Sequence, residues 1–149
     1  MRKLYELLIA AGSNLQSLFL LIVRLYWGWQ LAQSGWGKLH NIEKVTEFFT
    51  SLNVPAPGPT AYAISTLELV GGILLFLGLA ARLIALPLTI NMIMAYITAD
   101  REALSSVLSD PDKFYAAAPY TFLIASLLVL IFGPGRFSID RLLKLDSQS

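Results

Sequence analysis

The chain has 149 residues, of which 56% are hydrophobic and only 14% are charged, whereas soluble domains of this size carry about 25% charged residues. The formal net charge of +1 gives no electrostatic basis for binding nucleic acid. The sequence contains no cysteine and a single histidine, His40, which excludes disulfides, thiolate clusters, bis-histidine haem and His-rich metal sites within this chain. The composition therefore predicts a membrane protein with no metal site of its own.

The first predicted membrane span covers residues 15–37 and contains one buried cation, Arg24. Residues 4–12, which precede it, predict a short amphipathic helix on the membrane surface. Gly28 and Gly35 follow Arg24 at helical spacing and form a stripe of small residues. Because small residues let helix backbones approach closely in lipid, this stripe is expected to face the other spans.

The first loop separates this span from the second. Lys38 opens the loop and is interpreted as a cation that snorkels to the interface, or that lies at the mouth of a pocket. Residues 43–52 have apolar side chains at helical spacing and predict an amphipathic surface helix. The prolines at positions 55, 57 and 59 predict an extended or turning segment without helix.

The second predicted span covers residues 60–79 and contains one acid, Glu68. Small residues accompany Glu68 on the same face, and three of them are predicted to mediate helix packing: Gly71, Gly72 and Gly78. The turn that follows is short, so the second and third spans are expected to be antiparallel neighbours. Arg82, at the end of this turn, is interpreted as a topology determinant, or as a residue that docks a lipid phosphate or a partner.

The third and fourth predicted spans cover residues 83–98 and 115–132. Asn91 lies near the middle of the third span, where an interhelical hydrogen bond is the expected role and a ligand contact is the alternative. Gly133 and Pro134 end the fourth span, and Ser138 predicts an N-cap for a short amphipathic helix at the C-terminus.

Together these elements predict an all-α fold: one integral membrane domain over residues 1–149, built as a four-helix antiparallel bundle with short amphipathic surface helices. Lysine and arginine are more frequent in the N-terminal tail, the turn at Arg82 and the C-terminal tail than in the other two loops. By the positive-inside rule, both termini are expected in the cytoplasm.

Arg24 and Glu68 are predicted to meet near the middle of the bilayer. Each lies about 12–14 Å inside its predicted span, and the two spans enter from opposite sides. An unpaired charge at that depth is costly, and an ion pair between Arg24 and Glu68 would lower that cost for both residues. One interpretation is a purely structural pair that sets helix register. The other is a polar cavity, completed by Asn91, that holds a head group, a quinone or an anion.

The sequence resembles the DoxX family in an ordered set of residues that covers roughly residues 20–142. In the first half these residues are Arg24, Gly28, Gly35, Lys38, Leu39, Pro55 and Pro57. In the second half they are Glu68, Leu69, Gly71, Gly72, Gly78, Leu79, Arg82, Gly133, Gly135, Ser138 and Asp140.

The resemblance implies a small four-helix protein of the bacterial inner membrane. Some DoxX relatives belong to a thiosulfate:quinone oxidoreductase, and others are linked to oxidative-stress assemblies at the membrane. The expected function is therefore a subunit that supports a redox assembly, with an electron carrier that comes from quinone or from a partner and with no intrinsic cofactor. The alternative is a non-enzymatic scaffold or assembly factor. Expected partners are the lipid bilayer, other membrane proteins or a second copy of the chain, and no nucleic acid.

Overall fold

The computed structural model describes residues 1–145, which form eight helices and contain no strand. The helices are α1 Arg2–His40, α2 Ile42–Ser51, α3 Pro57–Leu77, α4 Ala81–Thr98, α5 Arg101–Ser105, α6 Pro111–Ala116, α7 Pro119–Phe132 and α8 Ile139–Leu142. The predicted all-helical class is confirmed. Residues 146–149 of the predicted C-terminal tail lie outside the described part of the chain.

Three of these helices, α1, α3 and α4, are long and apolar enough to cross a membrane. The fourth predicted span corresponds to α7, which is apolar but has only 14 residues. Its length of about 21 Å is shorter than a hydrocarbon core of about 30 Å. Residues 111–116, which overlap the predicted start of this span, belong instead to the separate helix α6.

The first helix is continuous from Arg2 to His40, so residues 4–12 do not form the separate surface helix that the sequence predicted. No proline interrupts this stretch, and each residue can continue the helix already under way. At 39 residues, α1 is about 58 Å long, nearly twice the thickness of the hydrocarbon core. Burial begins at Ser17, and all residues before it are exposed.

The three long helices and the shorter apolar helix α7 contact each other in a closed ring, in which α1 and α4 each pack against both α3 and α7. One core cluster joins α1, α4 and α7 through Leu31, Leu88, Met92, Tyr96 and Leu123. A second cluster joins α3, α4 and α7 through Leu75, Ala81, Ala85 and Val129. Inside this ring, side chains from α1, α3 and α4 lie close enough to contact each other.

The closest approach in the fold is between α1 and α3, and glycine makes it possible. A Cβ on Gly35 would lie 2.7 Å from the Ser65 carbonyl oxygen and closer still to the Leu69 amide nitrogen. A Cβ on Gly72 would lie 2.7 Å from the Gly28 carbonyl oxygen. The two backbones therefore touch without intervening side chains, as small residues permit in membrane helix pairs.

The proline-rich segment differs from its prediction because α3 begins at Pro57 and includes Pro59. Proline is tolerated in the first helical turn, where its missing N–H has no intrahelical partner to lose. The predicted surface helix in the first loop is confirmed as α2, which has no buried residue. The predicted cap at Ser138 is also confirmed: its hydroxyl accepts a hydrogen bond from the Arg141 backbone N–H at 3.3 Å.

Candidate functional site

Glu68 is the centre of a polar cluster between three helices, and only 4% of its surface is exposed. Lys38 donates to both carboxylate oxygens, at 2.9 and 2.8 Å. The Ser34 hydroxyl donates to Oε2 at 3.1 Å, and the Asn91 amide donates to Oε1 at 3.4 Å. These four residues are called the Glu68 cluster below.

The helices position the cluster through their packing. Ser34 and Lys38 are one turn apart on α1, so both face the same side of that helix. Gly35 lies between them and lets α3 approach closely enough to present Glu68 to both. Asn91 comes from the middle of α4 and reaches the carboxylate from a third direction.

The cluster connects a buried acid with a partly accessible base. The Glu68 side chain is 5% exposed, whereas that of Lys38 is 36% exposed. The two opposite charges compensate each other, which limits the cost of placing them inside an apolar fold. Chemically, the cluster offers a carboxylate that can accept a proton and several N–H and O–H donors that can bind an oxygen atom.

Arg24 does not belong to this cluster, and the described part of the chain contains no Arg24–Glu68 ion pair. Its guanidinium instead donates to two backbone carbonyl oxygens, that of Phe76 at 3.2 Å and that of Phe137. The predicted pairing of Arg24 with Glu68 is therefore wrong.

The register of α1 against α3 explains the error. Gly28 lies against Gly72 and Phe76, and the two helices are antiparallel, so Arg24 lies beside Gly78. Glu68 lies at the opposite end of the α1–α3 contact, ten residues before Gly78 on α3, which is about 15 Å along the helix axis. The prediction counted depths from presumed span ends, but α1 continues to Arg2 and α3 begins three residues before position 60.

Arg24 takes part in a second polar arrangement, at the turn between α3 and α4. The Asp140 carboxylate accepts hydrogen bonds from the backbone N–H groups of Ala80, at 2.6 Å, and Ala81, at 2.8 Å. The Asp140 backbone N–H donates to the Gly78 carbonyl oxygen at 3.0 Å. Asp140 thus caps the N-terminus of α4 from a distant part of the sequence and holds the C-terminal segment against the turn.

Gly78 is required at this turn for two reasons. Its φ is +69°, a conformation that side chains with a Cβ rarely adopt. A Cβ there would also lie 2.6 Å from that of Ser138 and closer still to the Arg24 guanidinium. Gly78 therefore permits the C-terminal segment to reach Arg24.

The other predicted site residues divide between these two regions. Lys38 lies in the Glu68 cluster, whereas Arg82 lies in the first turn of α4, next to the residues that Asp140 caps. Gly71 faces α4, where a Cβ would lie 3.0 Å from a methyl group of Leu88. Lys38 and Arg82 therefore do not share one pocket mouth.

Two residues in these arrangements were not among the sequence candidates. Ser34 could have been found from its spacing, because it lies one turn before Lys38 and next to Gly35. Asp140 appeared only as part of a family motif, since nothing in the local sequence shows that a residue of the C-terminal segment caps α4.

Two open grooves of about 500 Å³ each lie elsewhere on the helix surfaces. The first lies between α1 and α7 around Phe19 and Phe132, and Gln16 is the polar residue of its otherwise apolar lining. The second lies along α1 and includes Gln30, Gln33 and Phe76 of α3. Neither groove is lined by a member of the Glu68 cluster.

Comparison with known proteins gives a family and one curated relative. The family model described as DoxX matches residues 19–101, which is more than half of the chain. A protein of Bacillus subtilis (strain 168) named "Putative oxidoreductase CatD" is 29% identical over 120 residues, which covers 80% of this chain and 83% of the relative. No solved structure matches the chain significantly.

Proposed function

Because the chain belongs to the DoxX family, we propose that it is an integral membrane subunit of a redox assembly, linked to quinones, to reduced sulfur compounds or to the response to oxidative stress. The name of the Bacillus subtilis relative, "Putative oxidoreductase CatD", supports this assignment. The single observation that carries it is the Glu68 cluster, an acid with compensating donors in the interior of an apolar fold. Intramembrane ionisable residues that face the protein interior commonly mark a functional site.

We further propose the membrane arrangement that this function requires. Helices α1, α3, α4 and the shorter α7 all cross the inner membrane of a bacterium as an antiparallel bundle, with both termini in the cytoplasm. The positive charge of the N-terminal tail and of the turn at Arg82 supports this orientation. The short helix α7 crosses with local thinning of the bilayer, which costs only fractions of a kcal/mol per Å of mismatch.

The residues of the Glu68 cluster fit the polar end of a quinone. Quinone carbonyl oxygens accept hydrogen bonds, and Lys38, Ser34 and Asn91 supply donors that now serve the carboxylate. A bound quinone supplies the electron-carrying chemistry that these side chains lack. In this proposal Lys38 and Asn91 orient the head group, and Glu68 accepts or returns a proton at its own carboxylate.

The proposal is tested by purifying the full-length chain from bacterial membranes in mild detergent and measuring retained quinone by mass spectrometry. Glu68→Gln keeps the shape but removes the anion that holds the Lys38 ammonium in place, so the charged donor is no longer positioned at the head group and we expect retained quinone to fall by about ten-fold. Glu43→Gln, on the exposed face of α2, is the matched control and is expected to change nothing. If the unaltered protein copurifies with neither quinone nor a redox partner, the redox proposal is wrong.

A scaffold role is the second candidate, and one observation favours it. The Glu68 carboxylate already receives hydrogen bonds from three side chains of its own chain, so the cluster is satisfied without a ligand. In a scaffold, these contacts fix the register of α1, α3 and α4, and the protein binds other membrane proteins. Copurified protein partners without quinone, and without quinone-dependent turnover, distinguish this role from the first.

A further inference from the structure

The first of the two open grooves, between α1 and α7, changes in polarity along its length; it is called the α1–α7 groove below. Phe19 and Leu20 of α1 and Leu128 of α7 give one part of it an apolar lining. One turn earlier on α1 the groove is lined by Gln16, which is exposed and follows Asn14 by two residues. The groove therefore has an apolar part and a polar end.

The polar end of the α1–α7 groove lies where the helical bundle ends. Burial on α1 begins at Ser17, so Asn14 and Gln16 lie just outside the packed core. After α7 the chain folds back onto this position, where a Cβ on Gly135 would lie 3.3 Å from the Ser17 carbonyl oxygen. The next residue, Arg136, is exposed and donates a hydrogen bond to the Asn14 side-chain oxygen at 3.5 Å. A cation thus lies at the polar end of the groove.

The surface at this end of the groove is positively charged. Residues 133–145 expose three cations, Arg136, Arg141 and Lys144. The acid of this segment, Asp140, is only 3% exposed and accepts hydrogen bonds from backbone N–H groups at the start of α4. The contact of Arg136 is with a neutral amide, and in the described part of the chain no carboxylate forms an ion pair with its guanidinium. An anion from outside the chain can therefore neutralise the charge at the groove end.

An anionic phospholipid combines the groups that this arrangement requires. Its phosphate can accept charge-assisted hydrogen bonds from the Arg136 guanidinium and further hydrogen bonds from the Asn14 and Gln16 amides. Its acyl chain can cover the apolar lining around Phe19 and Leu128. A zwitterionic lipid carries its own ammonium group, which already compensates the phosphate, and a free phosphate ion has no chain to cover the groove. A lipid with a net negative head group therefore fits both parts of the groove.

We propose that the α1–α7 groove binds one phospholipid with a net negative head group, whose phosphate lies at Arg136 and whose acyl chain runs past Phe19. The exposed cations Arg141 and Lys144 attract anionic lipid to the same surface. This inference rests on the proposed crossing of the membrane by α1 and α7. It does not depend on the redox role, because no residue of the Glu68 cluster lines the groove.

Competition between two lipids tests the head-group contact. The full-length chain is purified in mild detergent, stripped of lipid and given equal amounts of phosphatidylglycerol and phosphatidylethanolamine with identical acyl chains, and bound lipid is counted by native mass spectrometry. We expect phosphatidylglycerol to be retained about ten-fold more often, and Arg136→Gln to remove that preference through loss of a charged hydrogen bond. Arg101→Gln, an equal loss of charge at an exposed site on α5, is the matched control and is expected to keep the preference. Equal retention of both lipids by the unaltered protein, or an unchanged preference in Arg136→Gln, overturns the proposal.

A second pair of variants tests the groove itself. Leu15→Trp places an indole ring in the groove lining, at a site that is 62% exposed, so it should reduce retained phosphatidylglycerol several-fold without altering the charge. Leu18→Trp, at a site that is 46% exposed on the same helix but outside the lining, is expected to leave retention unchanged. Excess inorganic phosphate, compared with chloride at the same ionic strength, should not displace the lipid.

Equal effects of the two tryptophan variants, or displacement of the lipid by phosphate, contradict the binding of a whole lipid in the groove. Retention of neither lipid by the unaltered protein refutes this proposal together with the proposed membrane arrangement. Absence of quinone from the same preparation refutes the redox role alone, so the failures of the two proposals are distinguishable.

Discussion

Substitution of Gly35 by alanine tests the close contact between α1 and α3 that organises the Glu68 cluster. The added methyl group would lie 2.7 Å from the Ser65 carbonyl oxygen, and closer still to the Leu69 nitrogen. Ordinary contacts of a Cβ fall at 3.4–4 Å, so the helices must separate by about 1 Å. Both contacts are backbone atoms, which cannot rotate away as a side chain can.

We expect Gly35→Ala to lower the free energy of unfolding by about 1–3 kcal/mol, the usual cost of overpacking a tight interior. The same substitution also raises the free energy of unfolding, by at most about 1 kcal/mol, because alanine has a better helix propensity than glycine. This contribution must be separated from the steric effect. Gly12→Ala, on the same helix, measures that contribution alone because a Cβ there meets nothing within 4 Å. Gly71→Ala should fall between the two, since it contacts the flexible Leu88 side chain at 3.0 Å.

The assay is reversible unfolding in mixed micelles by titration with a denaturing detergent, followed by the fluorescence of the tryptophans on α1. The expected order of stability is Gly12→Ala, then Gly71→Ala, then Gly35→Ala. If Gly35→Ala unfolds within about 0.5 kcal/mol of Gly12→Ala, a difference typical of surface substitutions, the backbone contact between α1 and α3 is not as close as described.

Three further substitutions test the polar contacts. Lys38→Met is expected to destabilise the fold by roughly 1–3 kcal/mol because it leaves the Glu68 carboxylate buried without its cation. The double variant Lys38→Met/Glu68→Gln should recover most of that loss. If the effects of the two substitutions simply add in the same unfolding assay, the Lys38–Glu68 pairing is contradicted. Asp140→Ala removes the acceptor for two N–H groups at the start of α4. This substitution should lower the free energy of unfolding by about 1–2 kcal/mol and speed protease cleavage of the C-terminal segment. Asp140→Asn keeps one acceptor oxygen, so its effect should be milder. Tyr96→Phe keeps the stacking on Phe114 at 4.5 Å but loses the hydroxyl hydrogen bond to its carbonyl oxygen, so a loss of about 1 kcal/mol is expected and an unchanged stability refutes the contribution of that bond.

The helical class of the protein was predictable because it follows from composition and local pattern. Apolar runs of membrane length, interrupted by prolines and polar loops, indicate helices regardless of how they pack. The boundaries were harder to predict. Pro57 and Pro59 look like helix breakers in sequence, yet they occupy the first turn of α3, where proline is tolerated.

The residue types of the candidate site were also visible in sequence, since Glu68, Lys38 and Asn91 are polar residues in or beside apolar segments. Asn91 was expected beside Glu68, where it lies, but the cation that binds the Glu68 carboxylate was not visible. Pairing depends on the register of α1 against α3, and that register is set by where glycines allow two backbones to touch, at Gly35 and Gly72. A count of depth from predicted span ends cannot detect a shift of about ten residues along a helix.

The sequence by itself determined that this chain is an apolar, all-helical protein of the DoxX family with a few charged side chains in its interior, because hydrophobicity and residue type are local properties. Only the tertiary structure decided that Glu68 binds Lys38, while Arg24 binds the carbonyl oxygens of Phe76 and Phe137. It also decided that Asp140 caps α4 from the far end of the chain. These contacts join residues distant in sequence, and their geometry exists only once the helices have packed.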